Sequence, residues 1–317
     1  MPRCKISRWT NVSYELQFLI FQIGGEMNTY TRGIVYTLLS AIIFGFTPTL
    51  VQITYHEGAN AITMTFLRAW LALPLLYYFT KRQHISLKLD SAQIKDILLL
   101  GIIGSSATTL CLYMSYNFIS VGTATTLHFI YPLFVNLAYG FFYHQQLHLS
   151  QWISLILGII GIASFMDSNI TNGSIGILLA LLSGFFYAFH ILYLSISGIQ
   201  EMHFFKLSFY LCLIMGAVCG IIGLITKTLS LHLTLSGWSL SIIISCLVSA
   251  GAISLLQLGI RLSGPCAASI LSTLEPITSI FFGVLILKEE ITIFKIIGCL
   301  LILISIIFTA LHTDSKT

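Results

Sequence analysis

Runs of about twenty predominantly apolar residues recur along almost the whole chain, and as helix each crosses roughly 30 Å of hydrocarbon. They fall at 33–54, 60–80, 95–117, 123–143, 150–167, 174–195, 204–226, 237–259, 265–287 and 291–311. Lipid offers backbone groups no water, so a spanning segment is either a helix or a strand of a closed barrel. Barrel strands alternate over about ten residues, whereas these runs are continuous, which selects the helix. The expected fold class is therefore all-α, a polytopic membrane protein of ten transmembrane helices. Composition agrees, with Asp, Glu, Lys and Arg at 8% of 317 residues and apolar residues at 56%. A water-solvated domain carries about a quarter charged residues. The connections are too short to hold an inserted soluble domain.

The net charge of +4 is small, and its placement carries the information. Lys81, Arg82, Lys88 and Lys95 crowd the connection between the second and third spans. The same side would hold Arg3, Lys5, Arg8, Arg32, Lys206, Arg261 and Lys316, against Lys227, Lys288 and Lys295 on the other. The excess of positive charge places that side, and with it both termini, in the cytoplasm of a cell-membrane protein. Of the seven cysteines, Cys111, Cys212, Cys219, Cys246, Cys266 and Cys299 fall within apolar runs and form no C-x-x-C pair, so they read as small core residues. Residues 1–30 form an N-terminal extension in which Val12–Ile23 is too short to span. Met27 is the expected natural start; an amphipathic interfacial helix is the competing reading.

Laying Gly33–Thr47 over Gly176–His190 gives identity at Gly33, Ile34, Leu38, Leu39, Ser40 and Phe46. At an offset one residue larger, Ala124, Leu127 and Pro132 lie over Ala268, Leu271 and Pro276. Two blocks at nearly one offset indicate an internal repeat. The units are 31–167 and 168–311, followed by a tail at 312–317. Each holds five spans, and an odd count makes the second copy enter the bilayer inverted. Inverted repeats about a midplane site are common in secondary transporters.

Arg68 in the second span, Tyr131-Pro132 in the fourth, Glu275-Pro276 in the ninth and Lys288-Glu289-Glu290 before the tenth carry a family resemblance. Over residues 30–311 the chain resembles the drug/metabolite transporter superfamily, EamA-like family. The resemblance implies a ten-helix bundle with a central cavity that exports or imports a small organic metabolite, and export is the direction expected here. The first half departs at His144-Gln145-Gln146, where the family commonly has a Gly-Glu-type turn.

Arg68 and Glu275 are the two residues charged at neutral pH that fall well inside a span, and each costs about 2.5–3.5 kcal/mol at a helix centre. Such side chains face the bundle interior. Arg68 is expected to bind an anionic group of the substrate, with Glu275 as counter-charge or proton-coupling site; a fixed structural ion pair competes with this. The fourth span aligns Thr125, His128, Tyr131, Pro132 and Tyr139 on one stripe, and the ninth repeats it with Ser272, Glu275, Pro276, Ser279 and Gly283. These two faces are the expected cavity wall. Pro132 and Pro276 each remove a helix hydrogen bond and are expected to bend their helices, though prolines also merely shape packing. Tyr113, His128, His190, Gln257 and Ser272 complete the expected substrate-binding set; core packing is the plainer reading for both histidines. Tyr187 shares a face with His190, and Tyr116 reads equally as an interfacial belt residue. Gly216 and Gly220, like Gly158 and Gly161, imply close helix contact within one chain, with a homodimer face as the second reading.

No H-E-x-x-H, no phosphate-binding loop and no Cys/His cluster of metal spacing occurs, so neither metal nor cofactor is expected. Nucleic-acid binding finds no support. The expected driving force is a proton, another ion or the substrate gradient itself. Two other classes compete: a membrane enzyme acting on a lipid-linked substrate with Glu275 or His128 as acid or base, and a non-transporting receptor or scaffold. An enzyme needs no exchange between two orientations, so the inverted repeat favours the transporter.

Overall fold

The computed structural model describes residues 28–142, 149–164, 173–199, 202–263, 268, 271–272, 274–290 and 292–313. Among these residues every regular element is helical. Helix α1 is Thr29–His56, α2 is Ala61–Arg82, and α3 joins Ser91–Leu99, a π-helical Leu100–Ala107 and Thr108–Ser115. Val121–His128 is α4, Tyr131–Phe142 α5, Leu149–Ala163 α6, Gly173–Ile196 α7 and Phe204–Ile225 α8. Leu235–Cys246, a second π-helical segment Leu247–Ala252 and Ile253–Ser263 form α9; α10 is Leu274–Leu287 and α11 is Ile293–Thr313. Residues 1–27 of the N-terminal extension, the His144-Gln145-Gln146 turn and residues 314–317 of the C-terminal tail lie outside the described residues, while Thr29 and Tyr30 belong to α1 and His312 and Thr313 to α11.

Local sequence sets these boundaries. Asn60 accepts from Thr63 N at 2.9 Å and starts α2, and Thr234 accepts from Gly237 N at 3.1 Å and starts α9. Among the described residues five helices are long and apolar enough to cross a membrane, including α1, α2, α3 and α8. Large apolar side chains cover the exterior: Ile159 is 65% exposed and Leu224 70%. A surface of that kind belongs in lipid. The span expected at 123–143 is divided, because Phe129 and Ile130 leave the helix between α4 and α5. Pro132 has no amide hydrogen for a continuous helix, and its ring crowds the preceding turn.

The core is built by glycines that let helix axes approach. Gly216 and Gly220 of α8 face Trp70 and Phe66 of α2, where a Cβ would come to 3.2 Å in each case. Gly158 and Gly161 of α6 face Leu133 and Ile302. All four contacts are made within the chain.

Two further contacts form a related pair. Gly33 of α1 abuts Leu262 and Ser263 at the end of α9, and Gly176 of α7 abuts Phe118 and Ile119 just after α3. The sequence offset that superposes Gly33 on Gly176 also superposes, to within a residue, Phe118-Ile119 on Leu262-Ser263. The two π-helical segments fall in the corresponding helices, α3 and α9. Ser106 Oγ donates to Gly101 O at 2.7 Å, five residues back, inside the first of them.

Candidate functional site

Polar side chains gather in the interior on α2, α3, α4, α5, α7 and α10. Arg68 Nη1 donates to Tyr113 Oη at 3.0 Å, and the guanidinium carbon stands 5.8 Å from the centre of the Tyr113 ring. Ser245 Oγ of α9 donates to Arg68 O at 2.9 Å and fixes the backbone beneath it. Tyr55 at the end of α1 donates its hydroxyl to Tyr113 O at 2.8 Å. Tyr113 and Tyr116 are both buried, their rings 5.7 Å apart. The Tyr116 hydroxyl makes no well-formed hydrogen bond, although it interacts with Thr125. Its burial excludes the belt position.

A second group lies where α4 and α5 meet α7. Tyr131 and Tyr187 meet edge to face at 4.7 Å, His128 lies 5.3 Å from Tyr187, and Tyr187 stacks on His190 at 5.9 Å. His128 Nδ1 is 2.9 Å from Ser183 Oγ, whose own proton goes to Ala180 O at 2.6 Å. A serine hydroxyl has one proton, so Nδ1 of His128 must be the donor and a neutral ring carries its lone pair on Nε2. His190 Nδ1 lies 3.4 Å from Ser105 Oγ, next to Gly104 in the π-helical part of α3. The Gly184 position lies against His128 O, where a Cβ would come to 2.8 Å, so α7 is held at the α4 backbone.

Glu275 links the two groups. It interacts electrostatically with Arg68, Tyr116, Tyr131 and Tyr187. Among the described residues no direct ion pair joins it to Arg68, although the two interact electrostatically across the interior. Thr125 of α4 and Ser279 of α10 bring their hydroxyls to 3.1 Å, so the two striped faces meet. Pro276 is buried in the first turn of α10.

Arg68, Tyr113, His128, Tyr131, His190 and Glu275 are thus brought into one interior region. Ser272 differs, because its hydroxyl donates to Ala268 O at 2.8 Å within its own helix. Gln257 lies on α9, and its side chain lies outside the described residues. Sequence reasoning missed Tyr55, Ser105, Ser183 and Ser245; Tyr55 carried a signal as an aromatic one helical turn beyond Val51, but near a helix end it resembles a belt residue.

Two carboxylates outside the spans anchor one end of the bundle. Glu289, in the turn between α10 and α11, accepts from Val121 N at 2.7 Å through Oε1. Burial pushes its carboxyl up, opposed by hydrogen bonds from the Val121 and Gly122 amides and by Lys295. Glu57 accepts from Thr234 and, at 2.6 Å, from Ser236 Oγ, and these bonds hold its carboxyl below the usual range. The first joins α10 to α4 and the second joins α1 to α9.

The EamA-like transporter family matches residues 31–166 and again 174–311. An uncharacterized transporter of Synechocystis sp. is 24% identical over 312 residues, covering 88% of this chain and 93% of the relative. An uncharacterized transporter of Helicobacter pylori is 26% identical over 179 residues, covering 56% of this chain and 58% of its own. A solved crystal structure superposes with a TM-score of 0.64 at 12% identity, covering 90% of this chain and 99% of that one.

Proposed function

Since the chain belongs to the EamA-like transporter family, with a helical, multi-pass, membrane-embedded fold, we propose that it is a secondary transporter exporting a small organic metabolite across the cell membrane. Ten spans in two inverted five-helix units place the cargo at the interior site, with both termini cytoplasmic. Support comes from the paired glycine contacts, which keep to the repeat offset within a residue, from a π-helical segment in each of α3 and α9, and from the double match of the family. Exchange of conformation between the units then exposes the site to each side in turn.

The observation that carries the proposal is an arginine and a glutamate in one interior region among aromatic rings, with no ion pair joining the two. Desolvated charges that are not committed to each other are available to a solute. Arg68 takes an anionic group of the cargo, Tyr131 and Tyr187 take its apolar part, and Glu275 takes a cationic group or a proton. A substrate of amino-acid type meets these demands, because it offers both charges at a fixed separation.

The test is flux in proteoliposomes, with cargo found by comparing metabolites exported by cells with and without the protein. Arg68→Ala is expected to abolish flux in protein that still inserts. Glu275→Gln keeps the shape of the side chain and removes its titration. Loss of the pH dependence of net flux, with substrate-for-substrate exchange intact, identifies proton coupling. Wild-type flux in both variants would remove the site from this interior cluster.

A further inference from the structure

Outside the interior site, one groove has a chemical polarity of its own. It runs down the outside of the bundle between α10 and α11, beside the start of α4, with a volume of about 250 Å³. Its wall is apolar from Ile277 to Val284 on α10 and from Ile296 to Leu303 on α11. Seven residues of helix rise about 10 Å. That is most of the roughly 15 Å hydrocarbon depth of one leaflet, half of a core about 30 Å thick. The charges are confined to the end at the α10–α11 turn, where Glu289, Glu290 and Lys295 line it. Glu289 is already spent on the Val121 amide. Lys295 Nζ donates to Glu290 O at 3.2 Å, so the ammonium is held at the rim next to the exposed Glu290.

We infer that this groove is a binding site for one phospholipid with a zwitterionic, primary-amine headgroup, of the phosphatidylethanolamine class. One acyl chain fills the slot between α10 and α11. The phosphodiester meets the Lys295 ammonium, and the headgroup amine meets the Glu290 carboxylate. An anionic glycerol headgroup satisfies Lys295 equally well but offers Glu290 no cation, so its uncompensated phosphodiester charge is left beside that carboxylate. Ile277 of α10 and Ile296 and Leu300 of α11 are exposed along the groove, which lets a chain enter sideways from the leaflet that the turn meets. A second copy of the protein fits less well, because a self-complementary interface would have to bury Glu290 and Lys295 away from water.

The experiment uses the full-length protein in detergent, stripped of lipid and titrated with dioleoyl phosphatidylethanolamine or dioleoyl phosphatidylglycerol, with bound lipid counted by native mass spectrometry. One retained phosphatidylethanolamine per chain is expected, with phosphatidylglycerol at least tenfold weaker. Val284→Trp fills the slot and is expected to lower retention at least tenfold, and Glu290→Gln to remove the discrimination between headgroups. Leu224→Trp, on the exposed face of α8, leaves both unchanged. Leu300→Trp, at a groove position 53% exposed, serves in place of Val284→Trp if the latter fails gel filtration. Equal retention of the two lipids, retention indifferent to the groove-filling variants, or a lipid-free dimer cross-linked through this face would each overturn the assignment.

Discussion

Replacing Tyr113 with Phe removes one oxygen atom from the interior and little else, since Tyr113 is 2% exposed and the ring keeps its packing. The lost atom is the acceptor for Arg68 Nη1 at 3.0 Å. A hydrogen bond to a charged group contributes about 1.5–3 kcal/mol net. The effect divides between the fold and the transport cycle according to what the guanidinium does when released. If Tyr113 aims Arg68 at the cargo, the released side chain must be re-aimed in every cycle. The apparent kcat/KM for flux then falls by roughly ten- to a hundred-and-fifty-fold. The tether from Tyr55 is unaffected, because it uses the Tyr113 carbonyl rather than the hydroxyl. Flux measured in proteoliposomes on Tyr113→Phe, Arg68→Lys and the double variant makes a cycle. An ammonium lacks the planar fork that reaches two partners at once, so the two changes are expected to be less than additive. Flux in Tyr113→Phe within twofold of the wild type, alongside abolition in Arg68→Ala, would refute the positioning role of the hydroxyl. Full additivity in the double variant would refute it as well.

Two other predictions concern orientation and packing. With the Lys81–Lys95 connection cytoplasmic, a cysteine at Ser91 is expected to be protected from an impermeant thiol reagent added outside, and one at Ser236 to be labelled, in a background without native cysteines; the reverse pattern inverts the topology. Gly45→Ala is expected to destabilise by about 1–3 kcal/mol, because its Cβ would fall 1.8 Å from Thr278 Oγ1 and 2.5 Å from Glu275 O. Gly251→Ala, whose nearest such atom is Ile43 Cδ1 at 4.0 Å, is expected to leave the thermal midpoint in detergent unchanged, and equal effects at the two positions would refute the packing account.

The long helices α1, α2, α3, α7 and α8 were legible because hydrocarbon thickness imposes a length on an apolar run. The gap at Phe129 and Ile130 was not, although Pro132 was in plain view. A proline states that a hydrogen bond is missing, and only the surrounding packing decides whether the helix bends or parts. The π-helical segments in α3 and α9 left no mark either, since one residue of extra register has no composition of its own. For the interior, the stripes put Thr125 and Ser279 on the two faces expected to line one cavity, and the cost of a buried charge singled out Arg68 and Glu275. The partner of Arg68 was out of reach. Tyr113 lies 45 residues further on, and helical periodicity orders residues within a helix without saying which neighbour it faces. Ser272 shows the complementary failure, where a hydroxyl on the favoured stripe turned back to its own backbone.

The contacts of Gly33 and Gly176 exist at both ends of the bundle at the same time. In a protein whose units exchange conformations, whatever is present at both ends cannot be what tells one state from the other. In the cycle proposed above, those two seams would act as hinges, about which helices swing without parting. The tether from Tyr55 to Tyr113 is of the opposite kind. The offset that carries Gly33 to Gly176 carries Tyr55 to Gly198, a residue with no side chain to form the bond. One end of the molecule has a latch that the other lacks by sequence, and in the alternating-access cycle proposed above that asymmetry would make the two resting states differ in energy before any cargo arrives.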